Sequence, residues 1–442
     1  MARPIAFIDL GPRIIQYFSA VGERLEPEFP PLFFALGYKS RSIVRKLGRE
    51  VHPVRCMGSA QWLPRSVALD TPGMIDKLRT DKNREQVRLR TPYYRWLVGE
   101  VHDFLANTRP AGVFLWNGSG LAAVIAEQLA CARGIPLIFG ENGYLPGTLQ
   151  LDPSGVNTFA SFGSRWSSDR IRGMQWAEGD WETFARMLSD YKANRLPKPR
   201  DPAGGRVRPS WNAYLRQALR DLRHRDLKRQ GNRLVPDEIP ELPRRFAFFP
   251  LQVRQDSQLT VHSPLYGNRL EDAIADLRAA LQRIDPGLPL VVKLHPADMR
   301  KSDYDPTVRA YPEVIWVGRG DVRKVLERST LVITINSTVG IEGLIFRKPV
   351  VMLGNSPYGH EGLVHRVGDR SQLPAVLREA LAQPPNARLV EKYLMFLYYV
   401  AFTRGHWKDF SPASLERVAS RIRSLIESAD PPGKSPGSNS TR

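Results

Sequence analysis

The sequence predicts an α/β chain of two domains, each built on a parallel sheet, and three observations carry the prediction. The first is length: 442 residues exceed what one hydrophobic core usually serves. The second is a strand, glycine loop, helix, glycine, strand unit between Val113 and Phe139. The third is a break of rhythm near residues 190–245, rich in proline and basic residues, after which strands and helices resume.

The elements follow in order. Ile5 to Asp9 reads as a buried strand, Gly11-Pro12 as a turn and Ile14 to Leu25 as a helix. Val113 to Trp116 is a short strand, Asn117-Gly118-Ser119-Gly120 a tight loop, and Leu121 to Arg133 a helix that Gly134 ends. Ile135 to Phe139 is the next strand. Parallel strands joined by helices place ligands at the strands' carboxyl ends. Domain boundaries are expected at 1–190, at a 191–245 linker, at 246–430, and at a disordered tail, 431–442, of mainly Pro, Gly and Ser.

The linker carries nine Lys/Arg between Arg206 and Arg233, with Trp211, Tyr214, Leu215, Leu219 and Leu222 interleaved at helical spacing. It predicts one basic amphipathic helix. In the second half, Phe246 to Val253, Leu288 to Leu294, Val314 to Val317, Leu331 to Ile335 and Pro349 to Leu353 read as strands. Leu270 to Ile284, Val322 to Glu327, Val339 to Phe346, Ala375 to Leu381 and Leu415 to Ile426 read as helices.

The chain carries a formal charge of +19, which favours anionic partners, although a generally basic background gives the same number. No RRM, KH or helix-turn-helix pattern accompanies it, so nucleic acid is not expected. Two cysteines, Cys56 and Cys131, exclude a disulfide scaffold and point to a reducing compartment. The first apolar run, Ile5 to Leu10, is too short for a secretory leader and is interrupted by Asp9. A cytoplasmic protein is expected, with any membrane contact peripheral.

Four segments carry chemistry. Val291-Val292-Lys293-Leu294-His295-Pro296 places His295 at a strand end, where imidazole can donate to a phosphate or simply cap the strand. Thr334-Ile335-Asn336-Ser337-Thr338 runs into Val339-Gly340-Ile341-Glu342-Gly343, a hydroxyl-rich turn before a helix of small residues. Helix amides and dipole suit an anion, Glu342 one turn in suits a ribose hydroxyl, and an ordinary capped helix gives the same pattern. Phe249-Pro250-Leu251-Gln252-Val253-Arg254-Gln255-Asp256 ends a strand in a loop fit for sugar hydroxyls, or a solvated one; Asp256 is a candidate base or nucleophile. Phe139-Gly140-Glu141-Asn142 puts Glu141 at a strand end of the first half, facing the second. Asp303-Tyr304-Asp305 and the eight histidines give no convincing metal pattern, and no metal is expected.

Read together, Trp116-Asn117-Gly118, Phe139 to Pro146, Asp152-Pro153 with Gly155-Val156-Asn157, Phe249 to Gln252 with Asp256-Ser257, Lys293 to Pro296 and Asn336 to Glu342 resemble the capsule polysaccharide biosynthesis proteins, bacterial Kdo-transferase-like proteins of capsule assembly. The resemblance spans about residues 110–360. It implies two Rossmann-like domains in a GT-B-like arrangement with an interdomain cleft, and a transferase that takes Kdo or a related 2-keto sugar from a CMP-linked donor, without cofactor or metal. It assigns the donor phosphate to His295-Pro296 and to Asn336, Ser337 and Thr338, and the ribose to Glu342. It makes Asp256 the nucleophile of a retaining reaction and Glu141 the acid/base. Gln252, Arg254, Asn117 and Asn157 complete the expected substrate contacts. Expected partners are a lipid-linked or oligosaccharide acceptor, the anionic inner-membrane surface and other capsule-assembly proteins. The alternative is a non-catalytic assembly or export factor that keeps the fold.

Overall fold

A computed structural model describes residues 2–55, 69–78, 80–165, 167–202, 205–222, 232–254, 256–299 and 301–429. Cys56, Gln255, the basic stretch 223–231 and the tail 431–442 lie outside the described residues. Two six-stranded sheets organise the chain. The first is built from β1 (Ile5–Ile8), β2 (Pro31–Phe34), β3 (Gly112–Trp116), β4 (Leu137–Asn142) and β5 (Thr148–Asp152). The second holds β6 (Ala247–Pro250), β7 (Leu290–Lys293), β8 (Ile315–Val317), β9 (Leu331–Thr334), β10 (Val350–Met352) and β11 (His365–Arg366). A last short strand, β12 (Thr403–Arg404), returns to the first sheet.

The second sheet runs β11-β10-β9-β6-β7-β8, every pair parallel. In chain order this is the 3-2-1-4-5-6 sequence of a Rossmann sheet, with its switch point between β6 and β9. The first sheet runs β12-β5-β4-β3-β1-β2. Its β2, β1, β3 and β4 are parallel, and β5 and β12 close the edge in antiparallel fashion. Strands covered on both faces must be apolar throughout. Ile-Ala-Phe-Ile in β1 and Leu-Val-Ile-Thr in β9 are buried at every position.

Every predicted strand forms; most are shortened where flanking prolines and polar residues leave the ladder, while β3 gains Gly112 and β4 starts at Leu137 and runs on through Asn142. Helix Leu270–Ile284 has the expected bounds. The main departure lies at the carboxyl-terminal end. Sequence spacing put everything to residue 430 in the second domain, yet helix Pro412–Glu427 packs on helix Pro12–Leu25 of the first. Leu415, Val418 and Ile422 share one core with Tyr17, Phe18 and Val21, and the Tyr17 hydroxyl lies 3.3 Å from Ser414 Oγ. The chain also crosses in the other direction. Tyr144, Phe162, Ile171 and Phe184 pack in the second sheet's core with Tyr358, Tyr393 and Phe396. The apolar stripe of a helix specifies that it must be covered, not by which sheet, so spacing alone cannot place these segments.

The 191–245 linker is tied at both ends. Val207 N–H donates to Gln16 Oε1 (2.9 Å), Ser210 N–H to Ser42 Oγ (2.8 Å) and Lys46 Nζ to the Arg208 carbonyl (3.0 Å). Past the basic stretch, the Asp305 carboxylate accepts the amides of Arg233 and Leu234, each at 3.0 Å. The Asp-Tyr-Asp sequence is therefore used structurally, with Tyr304 fully buried. The basic helix is present as Trp211–Leu222.

Candidate functional site

The carboxyl ends of both sheets converge on one cleft. Arg84, on helix Asp81–Arg88 of the first half, donates to the Thr260 carbonyl of the second (3.0 Å), and Thr158 Oγ1 to the Asn355 carbonyl (3.2 Å).

On the first side, Glu141 is the penultimate residue of β4. Its carboxylate accepts from Asn117 Nδ2 (2.5 Å), the Asn142 amide N–H (2.8 Å) and Asn142 Nδ2 (3.0 Å). Asn117 reaches it from the neighbouring strand end because its backbone is left-handed, at φ 66°, a conformation asparagine tolerates. Ser119 Oγ donates in turn to Asn117 Oδ1. Burial pushes the Glu141 pKa above the ordinary carboxyl value, the Asn117 and Asn142 donors pull it back, and the charge of Asp256 pushes it further up.

On the second side, Asp256 caps helix Ser257–His262 through the Gln258 amide (3.0 Å). His295 follows β7, and its Nδ1 accepts the Ala297 amide N–H at 3.1 Å. That bond assigns the neutral ring's proton to Nε2, as a donor on the ring's other side. Removal from water lowers the His295 pKa, while the nearby carboxylates of Asp298 and Asp256 raise it. The charge of Asp256 thus acts on Glu141 across the cleft and on His295 beside it. One pocket joins the two sides, lined by Asn117, the partner of Glu141, and by Val261 and His262 of the helix that Asp256 caps.

Other expected ligands are held within the protein. At the β6/β9 switch point, Gln252 Nε2 donates to Asn336 Oδ1 (3.0 Å), and Asn336 Nδ2 donates to the carbonyls of Gln258 (2.6 Å) and His262 (3.2 Å). Both amides are buried, so the pair locks two site loops together and does not present itself to solvent. Arg254, expected to meet a sugar carboxylate, forms a two-point ion pair with Glu271 and stacks over the Tyr304 ring. Asn157 is buried and accepts from the Tyr144 hydroxyl (3.1 Å) and Gln150 Nε2 (3.2 Å). Glu342 accepts from the Tyr191 hydroxyl, and burial raises its pKa. In the turn before helix Val339–Ile345, Ser337 Oγ accepts the Val339 amide N–H (3.2 Å), while Thr338 is exposed and makes no capping bond. Pro296 is exposed beside His295. Lys293 is buried and donates to the Gly318 carbonyl (2.8 Å).

Two contributors escaped the sequence reading. Asp298, buried three residues past His295, accepts from the Arg254 amide (3.2 Å) and the Tyr304 hydroxyl (2.7 Å) and biases the imidazole. Tyr191 comes from helix Glu178–Lys192, beyond reach of any local motif. No group of three or more His, Cys, Asp or Glu that could hold a metal ion occurs among the described residues.

Two Rossmann-like sheets with polar strand ends on a shared cleft define a GT-B-like α/β protein. A family model described as capsule polysaccharide biosynthesis protein matches residues 183–407, and the chain belongs to that family. Asp256, His295 and Asn336 to Glu342 fall inside the matched span; Asn117, Glu141 and Asn157 precede it. Protein FixF of Sinorhizobium fredii is 29% identical over 318 residues, covering 71% of this chain and 65% of that protein. Capsule polysaccharide export protein KpsS of Escherichia coli is 26% identical over 270 residues, covering 54% of this chain and 66% of that protein. The matched part thus spans about two thirds of these relatives (65% and 66%). Among solved structures, the β-Kdo 2,7 transferase of Thermosulfurimonas dismutans KpsC superposes with a TM-score of 0.46 at 12% identity, covering 96% of this chain and 99% of that one.

Proposed function

We propose that the chain is a glycosyltransferase of capsular or surface polysaccharide synthesis, moving Kdo or a related 2-keto sugar from a CMP-linked donor to a lipid-linked or glycan acceptor. One observation carries the reading: a pocket lined by Asn117 of the first half and by Val261 and His262 of the second joins the Asn117–Glu141 pair to the helix that Asp256 caps. Family membership supports the capsular role, and the motif order's resemblance to Kdo-transferase-like proteins favours a 2-keto sugar.

The chemistry balances with these groups. Asp256 attacks the anomeric carbon as the bond to the donor phosphate breaks, and the electron pair leaves with CMP. His295 Nε2–H donates to the phosphate oxygen that gains charge. The acceptor hydroxyl then attacks the same carbon, the bond to Asp256 breaks, and the hydroxyl proton passes to Glu141. A carboxylate with a raised pKa is the stronger base for that step. The exposed Trp211, Tyr214 and Leu215 of the basic helix suit an anionic membrane surface bearing a lipid-linked acceptor. No helix among the described residues is long and apolar enough to cross a membrane.

A second reading, a non-catalytic assembly or export factor, is favoured by the printed name of the Escherichia coli relative and by the internal commitment of Arg254 and Glu342. Incubation with CMP-Kdo and candidate lipid acceptors, with products read by mass spectrometry, separates the two. Transfer should fall in folded Glu141→Ala, Asp256→Ala and His295→Ala. Unchanged turnover in all three ends the transferase reading, and CMP binding without turnover selects the second.

A further inference from the structure

A cavity of about 1260 Å³ lies in the first half, lined by residues other than those of the cleft. Helices Tyr38–Lys46, Asp81–Arg88, Pro92–Thr108 and Trp211–Leu222 form its walls. It exceeds the roughly 300–1,000 Å³ of pockets that hold one small molecule. Its lining includes Arg41, Arg45, Lys46, Arg55, Lys82 and Arg216 and, among the described residues, no carboxylate. Arg55 is neutralised by Glu100 and Asp103, each at 2.6 Å. Arg45, Lys82 and Arg216 enter no ion pair with a carboxylate among the described residues, and all three are exposed.

Aromatic faces stand among these cations. Tyr93 and Trp96 line the cavity with ring centroids 5.5 Å apart, and Tyr38 lies under Arg216, 5.9 Å from guanidinium to centroid. Ser42, Asn83, Gln86 and Asn212 add hydroxyls and amides. Cations, flat apolar plates and neutral hydrogen-bonding groups in one long cavity match a polymer with negative charges, flat apolar ring faces and many hydroxyls. Leu36 and Tyr38 follow β2, so this part of the lining stands at the carboxyl end of the parallel strands, the end at which Glu141 lies in β4. Three strand spacings separate β2 from β4 in the sheet order, roughly 14 Å.

We propose that this groove binds an extended acidic saccharide and leads it along the carboxyl ends of the strands toward Glu141. Its role as an acceptor track rests on the transferase reading; its binding of acidic saccharide does not. Isothermal titration of the full chain with a galacturonic-acid oligosaccharide, against an uncharged malto-oligosaccharide of equal length, measures binding without turnover. The acidic ligand should bind, weaken as salt screens it, and lose about tenfold or more in affinity in Arg45→Ala/Lys82→Ala/Arg216→Ala. These side chains are exposed, so the variant should keep its melting temperature, and Lys82→Glu alone should weaken binding in the same direction. Arg283→Ala, which removes an exposed cation from helix Leu270–Ile284 of the second half, should bind as the parent does. The proposal is overturned if the acidic oligosaccharide does not bind, if neutral and acidic ligands bind equally, or if the groove variants bind undiminished. It is also overturned if the groove residues govern only capture of phosphatidylglycerol/phosphatidylcholine vesicles.

Discussion

Asn117 Nδ2 donates to Glu141 Oε2 across 2.5 Å, tying the end of one strand to the carboxylate near the end of the next. The bond stabilises the charged carboxylate and so opposes the rise that burial imposes on its pKa. Asn117→Gly removes the donor while tolerating the left-handed backbone at φ 66°. The Glu141 pKa should then rise further. If Glu141 is the base, the ascending limb of the pH–rate profile for CMP release moves to higher pH. A limb that stays put or moves down refutes the link.

The same group has a stability signature. Glu141 holds its proton more tightly folded than unfolded, so its contribution is full below the ordinary carboxyl pKa and is lost as pH rises through the raised folded value. Glu141→Gln should flatten that part of the stability–pH curve, measured by urea unfolding.

His295 combines a fixed tautomer with a lowered pKa, so it serves as a neutral donor near pH 7. His295→Ala should lower kcat/KM for the donor by about 10²- to 10³-fold, the usual loss for one donor aimed at developing charge. It should also weaken inhibition by CMP. A change confined to the acceptor's KM would place the imidazole elsewhere.

Gln252 and Asn336 make a structural prediction at a position that reads like a ligand. Asn336→Ala removes the partner of Gln252 Nε2 and of the Gln258 carbonyl in a buried site, while the His262 carbonyl keeps the Asn355 amide. The expected loss is about 2–4 kcal/mol of unfolding free energy, since unsatisfied buried polar groups cost about 1–3 kcal/mol each and relaxation recovers part. A loss near zero in urea titration would mean that the two loops are not locked by this pair.

Arg254 and Glu271 should behave as a coupled pair. A double-mutant cycle to alanine is expected to give about 1–2 kcal/mol of coupling, because Glu271 remains 39% exposed and solvent screens the bridge. If Arg254 instead serves the substrate, Arg254→Ala will raise KM while Glu271→Ala will not.

The sequence by itself determined the parallel strands at the centre of each sheet, the polar residues Glu141 and His295 at strand ends, and Asp256 in the loop beyond another strand. The reason is local: a strand buried on both faces must be apolar along its length, and a polar residue after such a run marks the sheet's functional edge. Side-chain commitment was not legible. Arg254, Glu342, Gln252 and Asn336 have the right chemistry for ligands, but their partners Glu271, Tyr191, Gln258 and His262 come from other elements. Only the tertiary structure decided which polar groups satisfy each other and which face the cleft. It also decided that Pro412–Glu427 returns to cover the first sheet. An amphipathic stripe states how much apolar surface must be buried, while the choice of covering surface belongs to the whole chain.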